Sequence, residues 1–164
     1  MTSYKITNKK DFMGKLLAGD CFSSFLLKEA GIHSYVPFTI DGHINKDFFE
    51  GSEETAESLT SPYVPWDMVR PTCFDLIKGK RTPTSFQFVL YLKPESMEAL
   101  FAKEELAPAD FLIQNLILNI RFEKGELTLT TAVDYSGFSL DKSGEQLWDL
   151  TIRKFLSKKE IAFE

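Results

Sequence analysis

The residues best suited to chemistry are few and scattered. His33 and His43 are the only histidines, and Asp41 stands close to the second of them. With a third ligand such a set could hold zinc, because imidazole and carboxylate oxygen both suit that ion. Their spacing matches no metal motif, however, and an Asp beside a turn ordinarily accepts from the backbone two residues on. Glu53-Glu54 and Glu104-Glu105 are adjacent in sequence, so the two side chains of each pair diverge, whereas paired carboxylate catalysis needs convergence across the fold. Gly79-Lys80-Arg81-Thr82 ends like a phosphate-binding loop, yet residue 74 is Phe where the first Gly is required, and Lys80 is not followed directly by Ser or Thr. No Gly-x-Ser-x-Gly and no glycine-rich strand-to-helix turn for a dinucleotide is present. Cys21 and Cys73 are isolated, each followed by Phe, and read as reduced, buried thiols. Tyr63 and Trp66 could stack a ligand or anchor a loop. These motifs assign no catalytic residue, cofactor or metal.

Charge offers a different kind of chemistry. The chain has 164 residues and a net charge of -5, which argues against a protein that simply coats nucleic acid. The charge is unevenly spread, since residues 47 to 69 contain no Lys or Arg. Basic residues gather around the predicted helices instead: Lys9, Lys10 and Lys15; Arg70, Lys78, Lys80 and Arg81; Arg153, Lys154, Lys158 and Lys159. Solvated helix faces explain such clusters often, and a shared phosphate-binding face is the functional alternative. If Lys9, Lys10, Lys78, Lys80, Lys154 and Lys158 lie together, they are the expected nucleic-acid contacts.

The elements that must position these residues follow from periodicity. Leu116, Leu118, Ile120 and Phe122 alternate with Ile117, Asn119, Arg121 and Glu123, and the alternation resumes after Lys124-Gly125 at Leu127, Leu129, Thr131 and Val133. This is a β-hairpin with one apolar face. With Lys124-Gly125 as the loop, Phe122 faces Leu127, Ile120 faces Leu129, Leu118 faces Thr131 and Leu116 faces Val133. A one-residue slip would turn that apolar set to water, so helices must cover the inner face.

Elsewhere the pattern predicts a strand at 4–7, a helix from the Asn8 cap to Ala18, and strands at 22–30 and 35–40, the latter an edge strand because of Pro37. Asp41-Gly42 is expected to form a two-residue turn. Gly51 to Pro65, rich in Ser, Thr, Glu and Pro, reads as a mobile loop, followed by a helix over 71–78. A strand at 85–92, a helix over 94–105, the hairpin, a helix from Ser143 or Gly144, and a strand at 161–163 complete the chain. Nothing resembles a signal peptide and no apolar run is long enough to span a membrane, so a cytoplasmic protein is expected.

The hairpin residues Asn115-Leu116-Ile117-Leu118 and Lys124-Gly125-Glu126-Leu127-Thr128-Leu129-Thr130-Thr131-Ala132-Val133-Asp134 resemble the bacterial DNA sliding clamps, which carry an Asn-Leu-Leu strand, a tight turn and a Leu-x-Leu-Thr-Ala-Thr-Asp strand. Phe74 to Gly79 before the strand at 85–92, and Leu147-Trp148-Asp149-Leu150 with Arg153 to Leu156 before 161–163, resemble the clamp segment in which a helix leads into a strand. The resemblance implies domains built of two similar units, with helices lining a pore and strands outside. Val133 departs from the clamp pattern, as does the segment from Gly51 to Pro65, and the chain amounts to about one clamp domain where a ring needs several. The chain is also expected to belong to a small bacterial family without assigned function.

The expected fold is therefore α+β: one domain over residues 1–164, made of two β-α-β-β-α units at 3–80 and 84–163 in a sliding-clamp-like arrangement. A two-repeat arrangement like the TATA-binding proteins is the alternative. Trp66-Asp67-Met68 and Trp148-Asp149-Leu150 form a short echo between the halves. The expected function is non-enzymatic binding of DNA or of a replication or repair protein. The alternative is a small-ligand site or enzyme with a pocket near Tyr63, Trp66 and His43.

Overall fold

The two-residue turn at Lys124-Gly125 sets the register of the longest pair of strands. Both residues have positive φ, 52° and 76°, as a tight hairpin turn that follows the right-handed twist of its strands requires. The strands it joins are Ile113–Glu123 and Glu126–Tyr135, and every cross-strand pair expected from the sequence is present: Phe122 with Leu127, Ile120 with Leu129, Leu118 with Thr131, and Leu116 with Val133. Leu116, Leu118, Ile120, Leu127 and Leu129 are buried, while Asn119, Arg121, Thr128 and Thr130 on the other face remain at least partly solvated.

A computed structural model describes residues 1–51 and 61–164 of the chain. In chain order its elements are β1 (Ser3–Lys5), α1 (Lys9–Leu17), β2 (Phe25–His33), β3 (Pro37–Asp41), β4 (Val64–Pro65), α2 (Trp66–Ile77), β5 (Ser85–Leu92), α3 (Pro94–Ala102), β6 (Ile113–Glu123), β7 (Glu126–Tyr135) and α4 (Ser143–Lys158). Short 3-10 turns lie at Lys46–Phe49 and Pro108–Phe111. The strands form one antiparallel sheet in the order β1-β7-β6-β5-β2-β3, with β4 on the same side of β2 as β3. The α+β class is thus as expected. All four helices contribute to one core, through Phe12 and Leu16 of α1, Trp66 and Cys73 of α2, Met97 and Phe101 of α3, and Trp148, Ile152 and Leu156 of α4.

Two indoles fasten helices to their surroundings. Trp66 is fully buried and donates its Nε1–H to the Leu16 carbonyl at 3.0 Å, tying α2 to α1. Trp148 donates likewise to the Ile117 carbonyl at 2.9 Å, tying α4 to β6. Buried indole N–H groups need such acceptors, so each Trp fixes an orientation as well as filling volume. Thr131 is the one polar residue on the buried face of β7. Its hydroxyl accepts from the Thr2 N–H at 2.9 Å and donates to the Asp149 carboxylate, so it links β1, β7 and α4.

Several elements differ from the sequence expectation. The helix expected at 71–78 begins at Trp66 and runs through Pro71, because burial of the Trp66 side chain anchors its first turn. The expected strand at 161–163 is reduced to a single bridge between Ile6 and Phe163. Asp41-Gly42 does not turn a hairpin. At Gly42 the edge passes from β3, which pairs with Glu29 to His33, to β4, which pairs with Leu26 and Leu27. Gly42 donates to the Lys28 carbonyl and accepts from Val64, both at 2.8 Å. A Cβ there would stand 1.8 Å from the Leu27 oxygen, so glycine is required by close backbone approach. The mobile loop expected over Gly51 to Pro65 falls on residues 52–60, outside the described residues, and on Ser61 to Pro65, where β4 is formed.

Both halves run strand, helix, hairpin, helix, but strand pairing does not follow a twofold. β5 lies between β6 and β2, whereas β1, its counterpart by order, pairs with β7 at the sheet edge. The edge position expected for the Pro37 strand is observed, since β3 ends the sheet.

Two tests follow from one-sided burial. Ile120→Ala or Leu129→Ala is expected to lower stability by about 2–5 kcal/mol in urea unfolding, and Asn119→Ala or Thr128→Ala by less than about 1 kcal/mol. Thr131→Val removes the hydroxyl that satisfies Thr2 and Asp149, and an expected loss of about 1–3 kcal/mol separates its polar role from its volume.

Candidate functional site

The end of the sheet that carries the starts of β5 and β7 is flanked by the first turn of α1 and the last turn of α2. Asn8 caps α1 by accepting from the Asp11 N–H at 3.1 Å, which places Lys9 and Lys10 at the head of the helix. Lys9 reaches the Gly125 carbonyl with its Nζ at 2.5 Å, drawing the helix start against the β6–β7 turn. A cleft of about 340 Å³ lies beside it, lined by Lys9, Lys10, Met13, Ile77, Thr82, Phe86, Phe122 and Leu127. A second cleft of about 390 Å³ is lined by Ser34, Tyr35, Phe38, Asp75, Leu76, Ile77, Lys78, Arg81, Thr82 and Thr84. Ile77 and Thr82 belong to both walls, so the clefts adjoin.

The structure therefore brings together part of the basic set read from sequence. Lys9, Lys10 and Lys78 line the adjoining clefts, and Lys80 is exposed in the short segment between Lys78 and Arg81. Lys154 and Lys158 are exposed on α4 and line neither cleft. Lys78 is held by Asp75 at 3.0 Å, with its Nζ 5.6 Å from the centre of the Phe74 ring. Among the described residues Lys10, Lys80 and Arg81 have no ion-pair partner, which leaves their donors free for an anion. The Gly79-Lys80-Arg81-Thr82 segment, rejected as a phosphate-binding loop, is thus on the cleft rim.

The alternative site does not assemble around Trp66, whose side chain is fully buried and faces Phe88. His43 and Tyr63 do meet, with ring centres 4.6 Å apart, and Tyr63 continues to Tyr91 at 5.1 Å. Asp41 accepts from the His43 backbone N–H at 2.9 Å and contacts its Nδ1 at 2.7 Å. The backbone bond first, and the side-chain bond after it, hold the Asp41 carboxyl below its usual range. His33 pairs with Pro37 at the opposite end of the ladder that pairs Glu29 with Asp41, so the two histidines and Asp41 do not converge. Among the described residues no group of three His, Cys, Asp or Glu side chains could hold a metal. Glu104 and Glu105 are exposed just beyond α3, and Glu53-Glu54 lies outside the described residues.

Sequence reasoning missed Ser34, Tyr35, Phe38, Thr82 and Thr84 as lining residues. One signal was available: Tyr35 is a large aromatic in the turn between β2 and β3, where small polar residues are usual.

Fold and surface together define an antiparallel α+β protein with helices on one side of a single sheet and two adjoining clefts whose lining includes Lys9, Lys10, Lys78 and Arg81. The chain belongs to the family of unknown function DUF5721, which matches over residues 15–164. No curated protein and no solved structure matches it. No helix among the described residues is long and apolar enough to cross a membrane.

The cysteines give an independent check on this arrangement. Both are free; Cys73 is buried, and burial pushes its thiol up to about 12, whereas Cys21 is half-exposed. A thiol reagent near pH 8 should add once, at Cys21, in the native protein, and a second time only after denaturation. Two rapid additions to folded protein, read by mass, would show that α2 opens readily.

Proposed function

We propose that this protein is a non-enzymatic binding protein that holds the phosphate backbone of a nucleic acid at its basic end. One observation carries the reading: Lys9, Lys10, Lys78 and Arg81 line two clefts that share a wall. The net charge of -5 does not oppose this. At ~0.15 M salt, exposed charges more than about 8 Å apart are largely screened, so a local cluster governs contact with a phosphate chain. Affinity on this basis is modest, indifferent to sequence and steeply reduced by salt, because counterion release supplies it.

The sliding-clamp-like reading of the fold belongs with this proposal. Its support is the common order of the halves 3–80 and 84–163, and the buried indole that begins α2 and recurs in α4. The edge position of β1 is a departure from a simple repeat. Closing a ring would require several copies of the chain, so the mass in solution distinguishes encirclement from surface contact.

Fluorescence anisotropy of a labelled duplex at ~50 mM salt is the test. Lys10→Glu and Lys78→Glu are each expected to weaken binding and to lower the salt slope by roughly one or more, while Lys154→Glu leaves both nearly unchanged. No binding at that salt, or equal losses for all three reversals, would overturn the reading.

A further inference from the structure

We propose that the larger cleft, between the β2–β3 turn and the end of α2, receives an unstacked base of a single-stranded nucleic acid; this rests on the backbone-binding reading above. Tyr35 is 88 % exposed, and it lines the cleft. The turn is closed by a Ser34 N–H to Val36 carbonyl bond of 3.2 Å, and Phe38 abuts the Tyr35 ring edge-to-face at 5.6 Å. The ring is therefore buttressed from one side and free on another, as a stacking platform needs to be.

The polar lining complements such a ligand. Lys78 and Arg81 line the same cleft as the aromatic pair and offer cations for phosphate. Ser34, which also lines the cleft, has a buried Oγ without a hydrogen-bond partner among the described residues. Asp75, although already engaged by Lys78, can accept from an exocyclic amine or a ring N–H. A volume of about 390 Å³ lies within the roughly 300–1,000 Å³ of small-molecule sites, enough for a single base and sugar and too little for a duplex. Paired bases are stacked on one another and cannot present a face to Tyr35, whereas single strands can. Stacking of this kind tolerates any base, in keeping with backbone binding that is indifferent to sequence.

The experiment compares labelled oligo-dT with a duplex of equal length by anisotropy, at matched salt, with wild type, Tyr35→Ala and Lys78→Glu. Oligo-dT is expected to bind more tightly than the duplex. Tyr35→Ala should weaken oligo-dT binding by about fivefold or more while leaving duplex binding and the circular dichroism spectrum unchanged. Lys78→Glu should weaken both ligands. Equal binding of the two nucleic acids, or oligo-dT binding indifferent to Tyr35→Ala, would overturn the base-binding cleft and leave the backbone reading standing. Binding of neither would remove both. Because Tyr35 is 88 % exposed, misfolding is not an expected outcome of its removal, and the dichroism spectrum verifies this.

Discussion

One-sided burial of the β6–β7 hairpin is the constraint from which the rest of the structure follows. Its turn residues, Lys124 and Gly125, accept left-handed backbone geometry and thereby fix which side chains share a face. Once Leu118, Ile120, Leu127 and Leu129 are on one side, that side must be covered, and the amphipathic faces of α1 and α4 and the buried Trp of α2 provide the cover. The two indole N–H bonds then turn a loosely oily layer into a specific one. An indole that must reach the Leu16 or Ile117 carbonyl permits far fewer helix placements than an aliphatic side chain of similar size.

Much of this could be read from the sequence because it is encoded by local periodicity. The hairpin register and the strand Ser85–Leu92 are properties of short stretches and agree with the structure residue for residue, and α4 starts at Ser143, one of the two residues expected. What could not be read depends on partners far away in the chain. Gly42 looked like turn chemistry beside Asp41, but its role is set by the backbone of Leu27, which no local pattern reveals. Pro71 looked like the beginning of a helix, because the energetic gain that starts α2 earlier is burial of Trp66 against α1 and β5. The pairing of β1 with β7 could not follow from order alone, and it is what separates the sheet from a plain twofold repeat.

The candidate site was legible only in part, for the same reason. Charge clusters are visible in sequence, yet whether they cooperate depends on where helix ends meet. The head of α1 and the tail of α2 do meet, at the end of the sheet closed by the β6–β7 turn, whereas Lys154 and Lys158 of α4 line neither cleft. The sequence places Tyr35 at the start of a strand over 35–40, a pattern that says nothing of its exposure. In the structure β3 begins at Pro37, and Tyr35 stands exposed in the β2–β3 turn, lining the same cleft as Lys78 and Arg81.

The position of β1 also bears on how the protein is made. Residues 3 to 5 pair with residues 128 to 130, and Ile6 meets Phe163, so β1 leaves the ribosome long before its partners. At about 5–20 residues per second, those partners arrive many seconds later. The β6–β7 hairpin, whose contacts are local, can form as soon as it emerges, and β5 can join it from the side already made. The N-terminal strand is then the closing piece of the sheet, docking on an edge that the C-terminal half has prepared. Until it does, β7 presents an unpaired edge, the moment at which a nascent chain of this kind is most open to pairing with a neighbour.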